Sequence, residues 1–235
     1  MSCSNTTPSG VASQATVVAP AIAVAAPAAA PAMPRINEPA PAFSAKTTHG
    51  DRRLADYKGK WLVLFSHPAD FTPVCTTEFI GFANASAEFK AINCELLGLS
   101  IDSIYSHLAW VQNIKEKFGV EIIEDLSMKV ATAYGMIHPG ASDTSAVRAT
   151  FIIDDKGILR AMIYYPMTNG PSVPEVLRLV RALQTSLTHG VATPEAWQPG
   201  DKVIVGSPKT MAEVETRLAE GLETTDWYFT VKELA

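Results

Sequence analysis

The segment that most restricts the fold is KGKWLVLFSHP, taken with the change of pattern just beyond it. Trp61–Phe65 is an uninterrupted apolar run. A half-exposed strand would alternate, so this one is expected to be covered on both faces. It ends at His67-Pro68, and from Thr76 the period changes. Phe79, Phe82, Ala83, Ser86 and Phe89 recur every three or four residues, which puts one packing stripe on a helix. Thr76, Thr77 and Glu78 form its expected first turn. A second strand is expected over 95–101 (ELLGLSI). A helix carrying Ile104, Leu108, Val111, Ile114 and Phe118 comes next, then a shorter one in MKVATAYGM. RATFIIDDKGILRAMIYY reads as two strands about the turn Asp155-Lys156-Gly157. VPEVLRLVRALQTSLTHG reads as a long helix, with Pro174 in its first turn and Gly190 at its end. Strands alternating with helices, then a hairpin and a helix, predict an α/β fold: a central sheet covered by helices.

The flanks differ from this body. Residues 1–34 carry no charged side chain, and prolines at 20, 27, 31 and 34 would interrupt any helix. Small side chains give this stretch little area to bury, so a disordered or processed extension is expected. It lacks the positive n-region of a secretory signal and the arginines of a transit peptide, the first arginine being Arg35. A cytoplasmic location is therefore expected, with an organellar or exported form left open through this extension. Translation from Met33 is an alternative start. AFSAKTTHG reads as an entry strand and turn. Residues 191–235 are turn-rich, with one short strand over 202–205, a helix capped by Thr210 with Glu213 three residues on, and the aromatic segment DWYF. The expected organisation is thus an extension over 1–34, a main domain over 35–190 and a smaller C-terminal domain over 191–235. The last is expected to lie against the main domain or a partner subunit.

Composition narrows the function. The formal net charge is -5 with no basic block, which argues against nucleic acid, and no unbroken run of 18 apolar residues suggests a membrane span. The three cysteines, Cys3, Cys75 and Cys94, are too few for a disulfide scaffold. The histidines form no HExxH and the cysteines no CxxC, so neither a metal nor a cofactor is expected.

The chemistry-bearing segment is SHPADFTPVCTTEF. Cys75 falls where the strand-end loop meets a new helix. Free backbone N–H groups and the positive helix end favour an anion there, hence a thiolate. Pro68 and Pro73 stiffen the loop, and the Thr72 hydroxyl can donate to the sulfur. Chemistry alone leaves a second reading open, since a lone cysteine at such a junction is often a packed small hydrophobe. Arg148 alone would likewise read as an ordinary solvated strand arginine.

SHPADFTPVCTTEF resembles the active-site loop of the peroxiredoxins, whose general pattern is P-x-x-x-T/S-x-x-C. The likeness extends over nearly all of 35–235, through NEPAPAF, LGLSIDS, HLAW, FIIDDKG, YYPMTNG and ATPEAWQPGDKVIV. It is greatest to the one-cysteine branch with an extended C-terminal domain. The resemblance implies a thioredoxin-like fold and a thiol-dependent peroxidase acting on hydrogen peroxide and organic hydroperoxides through a cysteine sulfenic acid. It implies Cys75 as the attacking residue, with Thr72, Pro68 and Arg148 as its catalytic partners. An arginine fork could hold sulfur and peroxide oxygen together. The branch also places a histidine at His67, to orient the cysteine or move a proton, and Glu78 is expected to orient Arg148. Both have structural alternatives, His67 as a loop-backbone partner and Glu78 as a favourable first-turn acid. A homodimer or homodecamer is implied as well.

The tail GLETTDWYFTVKELA contains no resolving cysteine, Cys94 is expected to be packed, and Cys3 lies in the lead. An external thiol reductant is therefore expected. The stretch KGKWL has no serine where a lipase-active relative carries a G-x-S-x-G segment, so no lipase activity is expected.

Overall fold

The structure is a computed structural model that describes residue 1 and residues 33–114, 120–142 and 144–234. The described residues from 33 onward form one compact unit. The expectations for the low-complexity lead and for Phe118 fall outside the described residues.

The strands are β1 (Ser44–Thr47), β2 (Gly50–Arg53), β3 (Trp61–Ser66), β4 (Cys94–Ser100), β5 (Glu121–Glu124), β6 (Arg148–Ile153), β7 (Leu159–Tyr165), β8 (Val203–Ile204), β9 (Glu223–Asp226) and β10 (Phe229–Lys232). The helices are α1 (Pro73–Ala91), α2 (Ile104–Asn113), α3 (Lys129–Ala133), α4 (Val173–His189) and α5 (Met211–Ala219). Seven strands form one sheet in the order β2-β1-β5-β4-β3-β6-β7. Strands β3, β4 and β5 run parallel, while β6 returns antiparallel to β3 and continues into the β6–β7 hairpin. This is the expected α/β sheet flanked by helices, with a small three-stranded sheet, β8-β10-β9, in the C-terminal segment.

Every residue of β3 is buried, as its unbroken apolar run requires. The pleat sends Trp61, Val63 and Phe65 to one face, where they meet Phe79, Phe82 and Phe89 of α1, Trp110 of α2 and Val176 and Val180 of α4. Leu62 and Leu64 point the other way and join Leu97, Leu99, Phe151, Ile153 and Tyr134. Each such side chain contributes roughly 1.5–3 kcal/mol by leaving water, so the junction after β3 is held between two cores. Gly98 of β4 lets α1 approach, because a Cβ there would sit 2.6 Å from Phe79 Cζ. Gly190 ends α4 in the left-handed region (φ 62°), as expected.

The structure changes two expectations and adds two elements on which the sequence reading was silent. Helix α1 begins at Pro73 rather than near Thr76, since a proline at the first helical position gives up only an N–H that would have lacked an intrahelical partner. In α2 the inward residues include His107 and Trp110, at 0% and 1% exposure, whereas Leu108 is 41% exposed. Strand β5, which lies in the sheet between β1 and β4, is barely signalled by its short Glu-Ile-Ile-Glu sequence. The segment around DWYF is a hairpin, β9–β10, and leaves Trp227, Tyr228 and Phe229 exposed. The C-terminal segment meets α4 through Trp197, which packs with Ala182 and Val203 and accepts a hydrogen bond at its carbonyl from Arg178.

Candidate active site

The site forms at the C-terminal end of β3. The chain leaves the sheet through His67 and the buried Pro68, turns at Phe71 in the left-handed region (φ 56°), and enters α1 at Thr72. The first helical bond runs from the Thr76 N–H to the Thr72 carbonyl, 3.0 Å. Pro73 has no N–H, so Val74 and Cys75 hold the free amides of the helix start, where partial positive charge accumulates. Cys75 lies in that first turn and is fully buried.

Arg148 comes to the sulfur from the sheet. It opens β6, next to the Ser66–Ala149 pairing that continues β3. Its Nη1 is 3.4 Å from Cys75 Sγ and also donates to the Glu78 carboxylate. Its Nε and Nη2 both donate to the Met167 carbonyl, at 3.0 and 2.9 Å. The guanidinium is thus clamped on two sides with one donor aimed at sulfur, and it is only 3% exposed. Burial pushes the Glu78 carboxyl up to about 7, against the pull of Arg148. Glu78 sits one turn beyond Cys75, past the first turn of α1, and pairs with Arg148.

Thr72 and His67 make contacts within the loop. The Thr72 hydroxyl donates to the Ala69 carbonyl at 2.9 Å, which closes the loop on itself. His67 is buried, with Nε2 2.9 Å from Asp70 Oδ1. The other Asp70 oxygen lies 2.8 Å from Nδ1 of the buried His107. Burial lowers the proton affinity of His67. Burial alone would raise the Asp70 carboxyl, but the hydrogen bonds to His107 and His67 outweigh it and hold Asp70 well below the usual carboxylate range. Sequence reasoning missed Asp70 and His107. Their segments, SHPADF and HLAW, were legible only as pieces of the family likeness. His67, Asp70 and Asp102 also bring ligand-type atoms within 4.8 Å of one another. His67 Nε2 and both Asp70 oxygens are taken up by the contacts just described, and Asp102 Oδ2 accepts from the Asp70 N–H and the Ser100 hydroxyl.

The other described cysteine is remote. Cys94 starts β4 opposite Trp61, while Leu99 of the same strand lies opposite Ser66 at the site end. At about 3.3 Å per residue, roughly 17 Å of strand separates the two ends. A disulfide needs Cα atoms about 4.4–6.8 Å apart. Burial also pushes the Cys94 thiol up to about 12, so it stays protonated at neutral pH.

A buried cysteine at a helix start, facing a fixed arginine fork, defines a thiol chemistry class, and comparison with known proteins gives the family. Residues 36–162 match the AhpC/TSA family, and residues 182–221 match the C-terminal domain of 1-Cys peroxiredoxin. The chain is 57% identical to a peroxiredoxin of Aquifex aeolicus, over 86% of this chain and 98% of that one. It is 49% identical to a peroxiredoxin of Methanosarcina mazei, over 85% and 98%. Among solved structures it resembles a yeast mitochondrial 1-Cys peroxiredoxin, with 38% identity, a TM-score of 0.77, and coverage of 86% of this chain and 100% of that one. It also resembles peroxiredoxin 6 of Arenicola marina, with 31% identity, a TM-score of 0.75, and coverage of 86% and 98%. The chain belongs to the peroxiredoxins, thiol-dependent peroxidases with a thioredoxin-like fold. No helix among the described residues is long and apolar enough to cross a membrane.

Proposed function

We propose that this peroxiredoxin reduces hydrogen peroxide and organic hydroperoxides at Cys75 and relies on an external thiol to complete the cycle. The observation that carries the reading is the Arg148 Nη1 donor 3.4 Å from Cys75 Sγ at the start of α1. The thiolate attacks one peroxide oxygen. The S–O bond forms as the O–O bond breaks, sulfur is oxidised by two electrons, and the leaving oxygen takes a proton to become water or an alcohol. Arg148 stabilises the thiolate and the charge that develops on the peroxide. Glu78 and the Met167 carbonyl hold Arg148 in place. Pro68 and Thr72 shape the loop, and the Thr72 hydroxyl can turn from Ala69 to an arriving peroxide. His67 supports the loop from beneath.

A thiol then attacks the sulfenic acid, releasing water and leaving a mixed disulfide, and a second thiol frees Cys75 as that disulfide transfers. The position of Cys94 at the far end of β4 supports this account, as does the absence of a cysteine from the tail. So does the yeast mitochondrial neighbour, whose thiol resolution runs through glutathione/thioredoxin systems. Residues 35–190 would form the peroxidase domain and 191–235 the C-terminal domain. The exposed Trp227, Tyr228 and Phe229 fit a homodimer or larger ring. The test is one equivalent of peroxide, then a sulfenic-acid trap and peptide mass analysis. Label on Cys75 is expected. Label mainly on Cys94, or a kinetically competent disulfide from Cys75 to Cys94 or Cys3, would defeat the mechanism.

A further inference from the structure

The buried contacts around Asp70 fix a proton count. His107 Nε2 is 3.1 Å from the Ile123 carbonyl of β5. A carbonyl only accepts, so this nitrogen must carry hydrogen. His107 Nδ1 is 2.8 Å from Asp70 Oδ2 and His67 Nε2 is 2.9 Å from Asp70 Oδ1. An ionised carboxylate likewise only accepts, so both of these nitrogens must also donate. His107 then has hydrogen on both nitrogens. His67 has one N–H, on Nε2, and its Nδ1 is a buried atom with no hydrogen-bond partner. All three side chains are at most 1% exposed, so water cannot substitute for any of these contacts.

We infer that His107 is a positioning residue: a buried imidazolium on α2 that fixes Asp70, and through Asp70 both the catalytic loop and the Nε2–H tautomer of His67. Asp70 is the fulcrum. Its side chain ties the end of β3 to α2, and its backbone N–H donates to Asp102, just past β4, at 2.9 Å. Phe71 and Thr72 come directly after it and lead to Cys75. The charged or titratable groups around His107 are Asp70 and His67 from the loop side, Asp102 beyond β4, and Glu124 on β5, which accepts from the Ile104 N–H at the start of α2. The paired Asp70 and His107 charges cancel, so the loop gains a strong anchor without placing net charge beneath the thiolate.

The link to catalysis rests on Cys75 as the attacking sulfur, whereas the proton count does not. The first measurement is therefore ring-nitrogen NMR of the ¹⁵N-histidine-labelled wild-type chain near pH 7, with His107 assigned through His107→Gln. Both His107 nitrogens should be protonated and His67 should be the Nε2–H tautomer. A neutral His107 would overturn the inference. Glutamine keeps one donor but no charge, so His107→Gln should lower kcat/KM for peroxide about ten- to a hundredfold through loop misplacement. Asp70→Asn/His107→Gln removes the stranded carboxylate and should melt above His107→Gln alone. A double variant no more stable than the single would overturn the ion pair. A folded His107→Gln with wild-type kcat/KM would overturn the positioning role while leaving the peroxidase reading intact. Activity surviving Cys75→Ser would sink that reading and leave the proton count standing.

Discussion

Replacing Arg148 with lysine tests the site most directly. The arginine donates from Nε and Nη2 to the Met167 carbonyl and from Nη1 to Glu78 and the Cys75 sulfur. A lysine has the same charge but a single nitrogen at the end of a flexible stem, so it cannot span these partners. Its strongest attraction is to the buried Glu78 carboxylate, which leaves sulfur and the Met167 carbonyl without their donors. The loss of one preorganised donor to reacting charge costs about 10²–10³ in rate. A 10²-fold fall corresponds to about 2.7 kcal/mol of barrier. The fold tolerates the change, because lysine keeps a positive charge beside Glu78 and the charge-assisted bonds that are lost, worth about 1.5–3 kcal/mol each, end on the carbonyl of the partly exposed Met167. The variant should therefore stay folded while its second-order rate with peroxide, measured by stopped flow, falls about 10²-fold. A folded Arg148→Lys within about threefold of wild type would refute the reasoning.

The same structure sets three other outcomes. Burial raises Glu78 in the folded state to about 7, above its ordinary 4.5, so between those values the native state holds a proton that the unfolded state releases. Its contribution to stability is present below pH 4.5 and is lost as pH rises through about 7. Melting temperatures of wild type relative to Glu78→Gln should decline across that window, and a pH-independent difference would contradict this. Gly98→Ala places a methyl group against the Phe79 ring and should destabilise the chain by about 1–3 kcal/mol in urea unfolding; a neutral result would mean that α1 can shift freely. A chain starting at Met33 should keep full peroxidase turnover, and loss of turnover at equal folded concentration would reveal a role for the lead.

The sequence exposed the two ends of the site but not what joins them. Cys75 was legible because a motif, a strand end and a helix start coincide in fourteen consecutive letters, SHPADFTPVCTTEF. Arg148 was legible only through family likeness, because its contact with the sulfur depends on β6 returning beside β3. Hydrophobic periodicity assigned Leu108 to the interior because it counts histidine as polar. His107 turns inward instead, where its nitrogens find Asp70 and the Ile123 carbonyl. Prolines read as loop stiffeners hid the true start of α1, since Pro73 suits the first helical position. Strand β9, Glu-Thr-Thr-Asp, has no apolar residue to announce it and forms by pairing with β10.

The sulfur and its guanidinium are 73 residues apart in sequence and belong to different layers, one on a helix and the other on the sheet. No local segment can bring them together. The Cys75–Arg148 contact exists only after β3 and β6 have paired and α1 has settled on them, which are long-range events that require closing large loops. A nascent or partly unfolded chain should thus carry a thiol of ordinary reactivity, protected from peroxide damage by its own immaturity. Peroxide reactivity at Cys75 would then serve as a chemical reporter of completed folding, rising with native tertiary structure and not with helix content.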